Sequence, residues 1–93
     1  MGTKTFSTLD IYLSAYLSLK NLEPTLEIKN GKVVFSFEAA DVLYRLMNDF
    51  NSNEDVPVAD YTTAIKTLRG KMLTAKESIN GKGNGYGTKE NKL

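Results

Sequence analysis

TLEIKNGKVVFSF, residues 25–37, decides the fold. Asn30-Gly31 is the dipeptide that best tolerates the two left-handed positions of a type I′ turn, and a two-residue loop fixes which residues face each other. Lys29 then faces Lys32, Ile28 faces Val33, Glu27 faces Val34 and Leu26 faces Phe35. This register places Leu26, Ile28, Val33, Phe35 and Phe37 on one side and Thr25, Glu27, Lys29, Lys32, Val34 and Ser36 on the other. Turn chemistry and hydrophobic pattern therefore agree. A two-stranded hairpin is marginal in water, so its apolar face must lie on helices or pair with strands of another chain.

Upstream, Phe6-Ser7-Thr8-Leu9-Asp10-Ile11 has the form of a helix start. Ser7 is placed to cap the first turn, Asp10 falls at the third helical position, and Phe6 and Ile11 are placed for a hydrophobic staple. The spacing predicts a helix over residues 8–21, apolar on most of its circumference, with Asp10, Ser14, Ser18 and Asn21 as a narrow polar edge. Such a helix belongs at the centre of a domain or against a second subunit. Pro24 separates it from the hairpin.

Downstream, Ala39, Val42, Leu43, Leu46, Met47 and Phe50 recur on one face and predict a second helix over residues 39–50. Residues 51–56 form a polar, acidic loop, and Pro57 suits the first turn of a third helix because it lacks an amide hydrogen. In that helix, expected to end near Ser78, Val58, Tyr61, Ile65, Leu68, Met72, Ala75 and Ile79 alternate at spacings of three and four. Gly70, in mid-helix, costs about 1 kcal/mol relative to alanine. It is expected to permit close approach of another backbone or to mark a bend. Residues 80–93 are rich in Gly, Lys and Asn and predict a flexible tail.

The chain is thus expected to be one α+β domain over residues 1–79, ordered helix, two-stranded hairpin, helix, helix (α-β-β-α-α), with the tail at 80–93. An ordered part of roughly 70 residues gives one core only modest stability, which makes a homodimer a candidate state. With 41% hydrophobic and 25% charged residues among 93, the composition is that of an ordinary globular domain. The longest apolar-rich stretch, residues 9–22, is too short and too interrupted to span a bilayer, so no membrane partner and a cytoplasmic location are expected.

Chemistry is sparse. No Cys and no His are present, which removes disulfides, thiolate metal sites and the commonest general base. Asp49, Asn51, Asn53, Asp55 and Asp60 fall at positions 1, 3, 5, 7 and 12 of a helix-loop-helix calcium loop. Glu54 stands where that loop needs Gly, and Asp60 is shorter than the usual Glu, so a polar turn-forming loop is the preferred reading and no metal is expected. Tyr12, Tyr16, Tyr44 and Tyr61 supply phenols, yet no spacing makes two of them converge. Residues 81–85, GKGNG, resemble a phosphate-cradling loop without the helix that completes one. Neither catalytic residues nor a cofactor are expected; the chain reads as non-enzymatic.

Charge is uneven. Up to Tyr61 there are five cationic and nine acidic side chains, and from Thr62 onward seven and two. Lys66, Arg69, Lys71 and Lys76 lie off the apolar seam of the third helix, with Arg69 and Lys76 on one shared edge and Lys71 across the seam. Together with Lys82, Lys89 and Lys92 they nominate nucleic acid as a partner. The alternative is a protein-interaction or self-assembly module that uses exposed apolar helix or hairpin surface.

Three stretches carry a resemblance: residues 6–10, FSTLD; residues 33–38, VVFSFE; and residues 61–69, YTTAIKTLR. In this order and spacing they resemble a family of small uncharacterised bacterial and mobile-element proteins, a domain of unknown function, over residues 6–73. The resemblance implies an α+β domain and no established activity, and it transfers no catalytic residue. Where members of the family carry an aromatic pair near the end of the second helix, this chain has Phe50 followed by Asn51.

Overall fold

The computed structural model describes residues 4–84, with side chains through 77. Six elements follow one another: β1 (Thr5–Thr8), α1 (Ile11–Leu19), β2 (Thr25–Lys29), β3 (Lys32–Glu38), α2 (Asp41–Asn51) and α3 (Val58–Asn84). The class is α+β, but the sheet has three antiparallel strands in the order β1-β3-β2 instead of two.

The hairpin has the register its turn dictates, from Lys29 opposite Lys32 to Leu26 opposite Phe35 and on to Thr25 opposite Ser36. Asn30 and Gly31 take φ of 52° and 78°, the left-handed pair that the turn requires. What the hairpin leaves open on the far side of β3 is filled by β1, which pairs Phe6 with Phe37 and Ser7 with Ser36. This corrects the expected helix start. Thr5 and Thr8 are β-branched and Phe6 alternates inward, so residues 5–8 satisfy a pleated surface better than a helical turn. The Ser7 hydroxyl lies 3.0 Å from that of Ser36 and caps nothing.

Asp10 takes over as the cap. Its carboxylate accepts hydrogen bonds from the amides of Tyr12 at 2.9 Å and Leu13 at 3.2 Å, which starts α1 three residues later than expected. α1 ends at Leu19 and is closed by Asn21, φ 74°, with the amide of Leu22 donating to the Leu17 carbonyl and that of Asn21 to Ser18. α2 ends the same way, on Asn53 at φ 62°, with Glu54 donating to Asp49 and Asn53 to Phe50. Both are Schellman ends in which asparagine supplies the left-handed residue that is more often glycine.

All three helices serve one core, built on Leu13, Ala15, Tyr16, Leu17, Phe35, Phe37, Leu43 and Leu68. α1 is its centre: five consecutive residues, Leu13 to Leu17, are buried. Ser14, expected on a polar edge, is among them, and its hydroxyl is satisfied by the Asp10 carbonyl at 2.9 Å. α3 lays Leu68 into the core and runs past the expected end near Ser78 to Asn84. The rest of the expected tail, residues 85–93, lies outside the described residues. Among the described residues no helix is long and apolar enough to cross a membrane.

Candidate functional site

Residues 69–76 of the 27-residue α3 pass beside the turn between β1 and α1. Because α1 starts at Ile11, Leu9 belongs to no element and stands beside α3 instead of inside a helix. Leu9, Ile11, Met72 and Leu73 line an apolar groove of about 310 Å³, with Arg69 and Lys76 as its two cationic members. Met72 belongs to the apolar seam that faces the core. Leu9 and Leu73 are off that seam and 58% and 63% exposed. Val58, also exposed, precedes Arg69 by eleven residues, close to three turns, and so continues the same edge. Tyr12 is exposed at the start of α1, where the Tyr61 hydroxyl donates to its carbonyl at 3.0 Å and ties the two helices together.

The four expected cations do not form one patch. All are exposed on α3, but Arg69 and Lys76 share the groove while Lys71 stands on the opposite flank, beside Leu26 of β2. Lys66 lines neither surface. Lys89 and Lys92 lie outside the described residues, as does the side chain of Lys82. Among the described residues the ion pairs are Lys20 with Glu54 and Lys29 with Glu27, so no described carboxylate neutralises Arg69 or Lys76.

A second polar group sits at the other end of the core. The hydroxyl of the buried Tyr16 donates to Glu54, and the Lys20 ammonium lies 5.5 Å from the centre of the same ring. Burial, with the Glu54 carboxylate beside it, pushes the Tyr16 phenol well above its ordinary value. Tyr61 is raised in the same direction, first by burial and then by the Asp10 carboxylate. Nothing in the spacing of the sequence joins Tyr16 to Glu54, 38 residues apart. Their pairing ties the exposed Glu54 to the core and gives the α2–α3 loop a structural task. Among the described residues no three acidic side chains gather as a metal site, in that loop or elsewhere.

Residues 3–74 match the family described as Domain of unknown function (DUF5659). The chain belongs to that family. The DUF5659 match takes in all six elements in part or whole and five of the six groove residues, stopping two short of Lys76. Over 76 residues the chain is also 29% identical to T-complex protein 1 subunit delta of Debaryomyces hansenii, a similarity that covers 72% of this chain and 14% of that protein. The chain thus spans about one seventh of that curated relative. No solved structure matches.

Proposed function

We propose that this DUF5659 chain is a non-enzymatic accessory domain that binds another protein through the groove between α3 and the start of α1. The observation that carries the reading is the exposure of Leu9 and Leu73 on an apolar floor. Apolar surface grouped in a concave strip and rimmed by charge is characteristic of an interaction site, whereas scattered exposed leucines are ordinary. Lining residues more than half exposed would leave a small molecule largely in water, so a macromolecular surface covers them better.

Nucleic acid fits less well. Tracking a phosphate backbone calls for cations along one path, and Lys71 stands across the helix from Arg69 and Lys76. Phosphates would also leave the apolar floor uncovered. The phenols support a non-enzymatic role: Tyr16 is buried on Glu54 and Tyr61 is committed to the Tyr12 carbonyl. A photo-reactive phenylalanine analogue in place of Leu73 tests the reading in cells. Protein adducts that disappear when the analogue is moved to position 71, on the opposite flank of α3, are expected. Nucleic-acid adducts, or none at either position, would overturn it.

A further inference from the structure

We propose that the groove takes an acidic amphipathic helix of a different protein, with two carboxylates seven residues apart and an apolar pair between them. This rests on the groove reading above and goes on to name the occupant.

The spacing comes from α3. Arg69 and Lys76 are seven residues apart, nearly two turns, which sets them about 10.5 Å apart along the axis and on one edge. A helix lying alongside presents its own residues at the same interval. Carboxylates at its first and eighth positions reach both cations, while the fourth and fifth face the floor of Leu9, Ile11, Met72 and Leu73. Arg69 offers a planar fork and Lys76 a point charge, so both ends of such a helix find a donor. Asp10, the acidic residue nearest in sequence to the floor, is occupied by the amides of Tyr12 and Leu13 and does not fill the role from within.

A second copy of the chain does not offer the required ridge among its described residues. The outward side of α2 carries Asp41, Tyr44, Arg45 and Asn48, so a cation falls where the apolar pair belongs and an amide falls where the second carboxylate belongs. The acidic depression beside the sheet, with Glu23, Glu27 and Glu38, has charge, but apart from Phe37 its lining is polar. Charge complementarity and the apolar floor therefore point to a foreign helix.

The test uses the whole 93-residue chain and two labelled, end-blocked helical peptides, read by fluorescence anisotropy. One has glutamates seven residues apart around a leucine pair; its twin has lysines in their place. The acidic peptide should bind roughly tenfold tighter than the twin at low salt, with the gap narrowing as salt rises. Combining Arg69→Glu with Lys76→Glu should invert the preference, an outcome that a folding defect cannot produce. Equal affinity for both peptides would overturn the proposal and leave the groove as an apolar docking site. Failure of both at about 1 mM peptide would remove the groove reading as well. Tighter binding of a mixed-sequence DNA duplex than of the acidic peptide would reassign the cations to phosphate. A chain that dimerises and thereby excludes the peptide would give the groove to a second copy.

Discussion

The two flanks of α3 form a natural contrast. On one, Arg69, Met72, Leu73 and Lys76 meet Leu9 and Ile11 across a groove of about 310 Å³. On the other, Thr67, Gly70, Lys71, Thr74 and Ala75 face Leu26 across a wider trough of about 640 Å³. The larger depression is the less informative. Its helical wall is small side chains, one glycine and one lysine, whereas the smaller groove collects large apolar side chains that water still reaches. Chemical content, more than size, separates the proposed partner surface from a depression between a helix and an edge strand.

The strongest way to break the contrast is to remove what both flanks depend on. Leu68, 1% exposed, fixes the helix to the core between them. Leu68→Ala should cost about 2–5 kcal/mol in urea unfolding and erase both surfaces together. If groove binding survived at full affinity in a chain so destabilised, the groove would not depend on the seating of α3.

The seating of α3 also depends on the Tyr16–Glu54 contact at its leading loop. Because the folded chain raises the Tyr16 phenol above its ordinary 10.0, unfolding releases that proton once the pH passes about 10, and stability held below that point is lost as pH rises. The slope should be at most about 1.4 kcal/mol per pH unit per tyrosine, with Tyr61 acting in the same direction. Tyr16→Phe should flatten it while costing about 1 kcal/mol at neutral pH. An unchanged alkaline slope in the variant would exclude Tyr16 as the source.

Gly70 sharpens the difference between the flanks. A Cβ at this position would meet nothing within 4 Å among the described residues, so they impose neither a close approach nor a steric need for glycine. Gly70→Ala should stabilise by about 1 kcal/mol in thermal unfolding and leave groove binding unchanged. Lost stability would mean that this trough is occupied after all. The smallest expected effect on folding belongs to the groove itself: Leu73→Ser should shift stability by less than about 0.5 kcal/mol yet weaken both test peptides. A large loss of stability would make Leu73 a core residue and the groove an accident of packing.

How much of this was legible depends on how local the cause is. The hairpin register follows from Asn30-Gly31 and alternation within thirteen residues, and it is the observed one. The split between Arg69 with Lys76 and Lys71 follows from helical spacing alone. β1 was not legible, because its partner is β3, some 30 residues downstream, and because Ser7 and Asp10 both have the form of a cap. Which one acts is decided by the sheet. The same cause hides the groove: a helix over residues 8–21 would hold Leu9 in its first turn, and only the later start at Ile11 leaves it to stand beside Leu73. The Schellman ends at Asn21 and Asn53 were not legible, since Asn21 falls on the polar edge of the expected helix, and the bond between Tyr16 and Glu54 required the third dimension.

The order β1-β3-β2 has a consequence for how the chain reaches this state. The β2–β3 pairing is local and closes on the microsecond scale of hairpins, while β1 has to return across α1, β2 and the turn. For that interval the far edge of β3 is an open ladder carrying Phe35 and Phe37, the kind of template on which strands of other chains assemble. Four residues, TFST, close it. The shortest element of the fold is therefore also its safeguard against aggregation, and the time it takes to dock sets how long a newly made chain is exposed to its neighbours.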